Sequence, residues 1–376
     1  MNRGFALIIC LLLIGLLPIV QVGCGGGTPP FPQFIEIDAP GAGSTLFLGT
    51  TAQDINANGD IAGFYTDANN ASHGFVRTSG QALTVFDAPG AGTTGDQGTD
   101  SQGINSVGTI VGSVIDQAFV SHGYIRTSGG IFTVFDVPGS SGTFVYGIND
   151  GGMVTGKYLD GSQFAHGYVR ASDGTFTMFD PPGTTFEEFL GTIPARISSS
   201  GAVVGSFQGA GGVLHGFLRA PDGTITTFDA PGAANQDGAG TLATDINETG
   251  VIVGLLYGPL FNGSGHRSFV RDAAGNITVF DPPGVGPPPP GNGGTGSAAS
   301  GINSNGTVVG TFTDPNNLMH GYIRNPDGTF VIIDDPNAST TGNTALGTNV
   351  NHVNSAGIVV GVYFDLFRAR HGFARG

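Results

Sequence analysis

From Phe34 onward, short runs of alternating apolar and polar residues fill the chain, each closed by Asn, Asp, Gly or Pro. Alternation with period two marks a strand with one buried face, and the closing residues are those of tight turns. Thr51–Asn56 predicts a strand. An Asn-x-x-Gly turn follows, and Asp60–Tyr65 predicts a second strand. His73-Gly-Phe-Val-Arg77 predicts a third, and Thr84-Val-Phe-Asp87 a fourth after a glycine-bearing turn. Phe5 to Val22 breaks the pattern. It is almost wholly apolar behind Arg3 and the amino terminus, so residues 1–23 are expected to be an export signal outside the fold.

The four-strand unit repeats. His-Gly-aromatic-aliphatic-Arg stands at 73–77, 122–126, 166–170, 215–219, 320–324 and 371–375, with a degraded copy, HRSFVR, at 266–271. Between copies recur Ile-Asn-x-x-Gly-x-[Ile/Val]-Val-Gly, as at 104–112, and [Phe/Ile/Leu]-Thr-x-Phe-Asp-x-Pro-Gly, as at 132–139. Residues 34–376 hold seven copies of about 49 residues each, the span of a propeller blade. The expected fold is therefore all-β, a seven-bladed β-propeller of four-stranded antiparallel blades. Its ends fit that expectation. The last copy stops after its third strand at Arg375-Gly376, whereas Phe34-Ile-Glu-Ile-Asp38 is a fourth strand with nothing before it. The N-terminal strand should complete the last blade. A right-handed parallel β-helix is the alternative.

These three recurring segments resemble the bacterial extracellular repeats called the HAF family, over nearly all of 34–376; the family has Ala where this chain has the Gly of His-Gly-Phe. That resemblance implies export and repetition and no established reaction. Gly23-Cys24 directly after the apolar run, followed by Gly-Gly-Gly-Thr-Pro-Pro, resembles the lipobox of bacterial lipoproteins, although Gln21 stands where that family prefers Leu. The resemblance implies cleavage before Cys24 and lipidation of its sulfur. An ordinary secretory signal or a retained membrane helix are the alternatives. Residues 24–33 read as a Gly/Pro tether. Cys10 would leave with the signal, so the exported chain has no internal disulfide. The expected location is the bacterial cell envelope, at the outer membrane, in the periplasm or exposed on the surface. The expected product is a monomer held at the membrane by its lipid alone.

Composition narrows the function. The formal net charge of −15 argues against a nucleic-acid partner. No calcium-loop, His-Glu-x-x-His, phosphate-loop or Gly-x-Ser-x-Gly elbow motif is present. Seven of the 8 His belong to the repeat, and a constant fourteen-residue offset links His73 to Asp87, His122 to Asp136, His166 to Asp180, His215 to Asp229 and His320 to Asp334. Chemistry needs one site rather than a ring of equivalent ones, so these are expected to be cross-strand structural pairs. In the degraded copy Arg267 takes the His register before Asp281, and that copy is expected to lose its pair.

Candidate chemistry lies on the first strand of each repeat, expected to line a central channel. The residue before its final Ile or Val is Asp54, Gly103, Gly147, Arg196, Asp245, Gly301 and His352 in turn. Arg196 with Asp245, and His352 with Asp54 across the seam, read either as inter-blade ion pairs or as a ligand site. A lone pair near solvent would contribute roughly 0–1 kcal/mol. No catalytic residue, metal or cofactor is assigned. The expected function is a binding or scaffold module for an extracellular protein or glycan. The alternative is a carbohydrate hydrolase or lyase using Asp54, Asp245 and Glu187. Variable loops at 184–189, 257–265 and 284–297 are the expected seat of specificity.

Overall fold

The computed structural model describes residues 33–188, 190–257, 265–286, 296–340 and 346–376. The signal, tether and Cys24 readings fall outside these residues, apart from Gln33, as do Phe189, 258–264 and 287–295 of the variable loops.

After β1 (Phe34–Ile37) the strands form successive antiparallel meanders. The first is β2 (Gly49–Ile55), β3 (Ile61–Thr66), β4 (Ser72–Arg77) and β5 (Leu83–Phe86). The second is β6 (Gly98–Ile104), β7 (Ile110–Ile115), β8 (Ser121–Arg126) and β9 (Phe132–Phe135). Then follow β10 (Gly142–Ile148), β11 (Val154–Leu159), β12 (Ala165–Arg170) and β13 (Phe176–Phe179). Next come β14 (Thr192–Ile197), β15 (Val203–Gln208), β16 (Leu214–Arg219) and β17 (Ile225–Phe228). These lead to β18 (Gly240–Ile246), β19 (Ile252–Tyr257), β20 (His266–Arg271) and β21 (Ile277–Phe280). Then stand β22 (Ser297–Ile302), β23 (Val308–Thr313), β24 (Leu318–Arg324) and β25 (Phe330–Ile333). Last are β26 (Leu346–Val353), β27 (Val359–Phe364) and β28 (Arg370–Arg375). β1 pairs antiparallel with β28, Phe34 opposite Arg375 and Ile37 opposite Gly372.

The meanders stack face to face, and the core lies between them. Phe75, Tyr124, Tyr168, Phe217, Phe269, Tyr322 and Phe373, the aromatic residues of the repeat motif, are all fully buried. One core cluster joins Ile37, Val360 and Ala374 to Ala52, Ile55, Ile61 and Phe75, so the first and last meanders share an interior. The motif glycine permits this contact: a Cβ on Gly123 would press the Phe135 ring at 2.6 Å and Val145 of the next meander at 2.9 Å. The third strand of one meander also touches the first of the next through a short parallel bridge, as at Ser72–Gly98. Gly98 sits there at φ +116°, where a side chain would collide with the Ser72 carbonyl.

Two polar devices run between meanders. The turn asparagines form a ladder: Asn56 Nδ2 donates to the Asn105 carbonyl (3.0 Å), Asn105 to Asn149 (3.3 Å) and Asn149 to Ser198 (3.0 Å). It resumes from Asn247 to Asn303 (3.1 Å), Asn303 to Asn354 (3.0 Å) and Asn354 back to Asn56 (3.1 Å). Each acceptor carbonyl already takes the N–H of its own turn, as Asn105 takes that of Gly108 (3.0 Å), and the ladder bond fills its second lone pair from the neighbouring meander. The motif arginines supply the second device. Arg126 lies over Phe86 of the preceding meander at 4.5 Å, and Arg170 over Phe135, Arg219 over Phe179, Arg271 over Phe228 and Arg324 over Phe280 repeat the contact.

Candidate functional site

The His–Asp offset places its residues as partners across the third and fourth strands. His73–Asp87, His166–Asp180, His215–Asp229 and His320–Asp334 meet at 2.8 Å, and His122–Asp136 at 2.9 Å. His371 finds Asp38 at 2.9 Å, across the β1–β28 pairing. The degraded copy does not lose its pair. Arg267 Nε reaches Asp281 at 2.7 Å, because the longer guanidinium spans the same register. A second carboxylate, unnoticed in the sequence, sits on the other side of most of these imidazoles. Asp67, Asp116, Asp160, Asp314 and Asp365 approach their His Nε2 at 3.6–3.7 Å. The readable signal was a constant offset of six residues before the His. Except for His122, which stands opposite Val114, each of these rings also packs on an aromatic of the second strand, as Tyr65 on His73 (4.8 Å) and Tyr363 on His371 (4.8 Å). Repetition of one geometry around the fold is what a structural element requires. At the β1–β28 junction Glu36 adds a third ligating atom to Asp38 and His371, but its Oε2 already accepts from the Tyr363 hydroxyl at 2.8 Å.

The first strands stand side by side around a cavity, and a β-bulge in each of them decides what faces it. The register of β2 against β3 shifts between Ala52 and Asp54, and the same shift recurs at the equivalent residues of β6, β10, β14, β18, β22 and β26. A bulge turns two consecutive side chains toward one face where plain alternation would separate them. Two layers result. Asp54, Arg196, Asp245 and His352 belong to one; Gln53, Gln102, Tyr146, Thr244, Ser300 and Asn351 line the other.

The charged layer is a single cluster rather than two separate pairs. Arg196 Nη1 lies 3.2 Å from Asp54, farther along the chain of meanders than its neighbour Asp245, to which Nε stands at 3.9 Å. His352 bridges both acids, Nδ1 at 2.7 Å from Asp54 and Nε2 at 3.4 Å from Asp245; the Nδ1 approach forms no directional hydrogen bond. Main-chain amides complete the two carboxylates. Asp54 accepts from Ile55 (2.9 Å) and Ile104 (3.0 Å), and Asp245 from Ile246 (2.8 Å) and Ile302 (2.8 Å). The glycines of this register are the space the cluster needs. A Cβ on Gly301 would press the His352 ring at 2.9 Å, and one on Gly147 would sit against Arg196.

Asp54 and Asp245 are each only 4 % exposed, so the expectation of a weak solvent-side pair does not hold. Burial opposes charge on Asp54, yet Arg196, His352 and the Ile104 amide hold its carboxyl well below the usual carboxylate range. Burial likewise disfavours the His352 imidazolium, but Asp54 and Asp245 outweigh it and push its pKa up to about 9. Two anions face two cations.

The charged layer borders a cavity of about 300 Å³ on the side of the Asn-x-x-Gly turns, where Glu248 is the further carboxylate among the described lining residues. The uncharged layer borders a second cavity of about 490 Å³ on the side where the first strands begin. Glu187 lines neither cavity and is exposed, in a loop that packs Phe186 on His166.

Strands, meander order and cavity define an all-β protein of the β-propeller class. The structure is similar to that of virginiamycin B lyase from Staphylococcus aureus, at 13% identity and a TM-score of 0.53, over 91% of this chain and 99% of that one. It is also similar to the BP39L lectin from Burkholderia pseudomallei, at 11% identity and a TM-score of 0.50, over 85% and 96%. At such identities the likeness concerns the fold. No protein-family model matches the chain, and no match was found among curated proteins.

Proposed function

We propose that this chain is an exported binding or scaffold module, a seven-bladed β-propeller closed by β1 as the fourth strand of the blade formed by β26–β28. The Asn354–Asn56 link of the ladder and the core shared by Ile37, Val360 and Ala52 support the closure. One similar propeller is a lyase and the other a lectin, so the fold serves chemistry and binding alike and the site must decide. One observation carries the binding reading. Asp54 and Asp245 each accept two main-chain amides and face both cations, which leaves neither free to act as base or nucleophile. The hydrolase or lyase alternative needs two accessible carboxylates about 5–10 Å apart, and Glu187 lies outside the cavities. The purified chain is expected to retain ligands on glycan or peptide arrays without consuming them. Release of cleaved glycan would overturn the reading in favour of the enzyme.

Export and anchoring rest on the apolar run, Gly23-Cys24 and the likeness of the repeat to the HAF family. The protein should partition into the detergent phase, and Cys24→Ser should move it to the aqueous phase. Equal partition of the two would remove the lipid anchor from the proposal. Anchored through its lipid, it would act as a monomer on an extracellular protein or glycan.

A further inference from the structure

The cavity of about 490 Å³ is of the size that encloses a small ligand, and its lining is divided. On one arc the polar side chains are engaged with the protein. Thr244 Oγ1 donates to the Ala299 carbonyl (2.8 Å), Ser300 Oγ to that of Val350 (2.6 Å) and Asn351 Nδ2 to that of Ala52 (2.9 Å). On the arc of the first three meanders the same bulge position carries Gln53, Gln102 and Tyr146. Among the described residues their side chains have no hydrogen-bond partner. Two primary amides and a phenol offer donors and acceptors together. Ile193, Pro194, Leu242 and Leu255 give the cavity an apolar wall.

Charge narrows the ligand. Arg196 is the one ionisable cation among the lining residues, and its guanidinium already faces Asp54 and Asp245. An anionic ligand would find no uncompensated cation, and a cationic one no free carboxylate. A ligand with a hydroxyl-bearing edge and an apolar CH face, and without charge, matches the divided lining.

We propose that the cavity lined by Gln53, Gln102 and Tyr146 binds a neutral hexopyranoside, such as a terminal sugar of a glycan. This rests on the reading of the chain as a binding module. The test titrates the purified chain with methyl glycosides of glucose, galactose, mannose and N-acetylglucosamine, by calorimetry and saturation-transfer NMR, with methyl glucuronide as the charged comparison. At least one neutral glycoside should bind, and more tightly than the glucuronide. Gln102→Ala should weaken it about fivefold to tenfold, the effect of one lost hydrogen bond. Tyr146→Ala should weaken it further. Tyr146→Phe, which keeps the ring and hence the packing, should still lower affinity measurably at an unchanged melting temperature. Absence of binding by all four glycosides overturns the inference, as does preference for the glucuronide. Binding that Gln102→Ala and Tyr146→Phe leave unaltered also overturns it, while leaving the chain a glycan binder through another surface. Hydrolysis or elimination of a bound glycoside defeats the binding-module reading itself.

Discussion

A chain lacking residues 33–38 is expected to lose on the order of 5 kcal/mol of folding stability and to aggregate. β1 contributes Ile37, 2 % exposed, to the core that joins the first and last meanders. Burying such a side chain stabilises by roughly 1.5–3 kcal/mol. Phe34 packs on Phe373 at 5.4 Å, and Arg375 lies over Phe34 at 5.5 Å, which adds roughly 1 kcal/mol. The ladder to β28 and the His371–Asp38 and Tyr363–Glu36 contacts supply the remainder, at about 1 kcal/mol net for each hydrogen bond. A loss of that size is a third or more of the roughly 5–15 kcal/mol that holds a typical domain folded. It also bares the edge of β28, a template for pairing with other chains. Urea titration measures the first effect and light scattering the second. A peptide of residues 33–42 added in trans should restore part of the lost midpoint by strand addition. An unchanged urea midpoint would mean that β1 is dispensable, and the proposed closure would fall with it.

Arg196→Met is expected to destabilise the protein by about 3–5 kcal/mol, the range for removing one partner from a buried ionic network. The variant keeps the stem's bulk but leaves Asp54 and Asp245 with His352 as the one cation of the cluster, beside their main-chain amides. Exchanging Asp54→Asn together with Arg196→Met should recover much of the loss, since a matched pair of charges then leaves together. Stability should also depend on pH through this cluster. His352 has its pKa raised from 6.5 to about 9 on folding. Its contribution is therefore fully present below about pH 6.5 and disappears as pH rises through about 9, roughly 3 kcal/mol in all. Asp54 is shifted the opposite way, down from 3.8. Its contribution is present above about pH 4 and is lost only in stronger acid. Melting temperature should hold level from about pH 5 to 7 and fall toward pH 10, and His352→Gln should flatten the alkaline fall. Single variants within 1 kcal/mol of the parent, or a melting temperature level to pH 10, would show the cluster to be water-exposed and weak.

Much of what short-range pattern governs is legible in the amino-acid sequence, with the Asp six residues before the repeat His and the Arg267–Asp281 pair as the exceptions. Strands, turns and repeat length follow from period-two alternation and from Asn, Asp and Gly at positions that demand turn geometry. The His–Asp pairs were legible because a hairpin converts a constant offset into a constant cross-strand neighbour. The complementary ends, Phe34–Asp38 and Arg375-Gly376, were legible for a different reason, a missing fourth strand in the last repeat and an extra one before the first, and β1 does pair with β28. Tertiary structure alone decided what depends on contacts between repeats. Arg196 is drawn to Asp54 as well as to adjacent Asp245, since a narrow space brings distant meanders as close as neighbouring ones. The motif arginines, which strand alternation left without a role, cover the Phe of the preceding meander. The bulge was the largest gap. It adds one residue to every first strand and so brings Gln53, Gln102 and Tyr146 to the same side as the charged layer, where alternation had turned them away. An alternating pattern records which residues are apolar; a bulge changes which way the backbone presents them, and that is settled only when the strands pair.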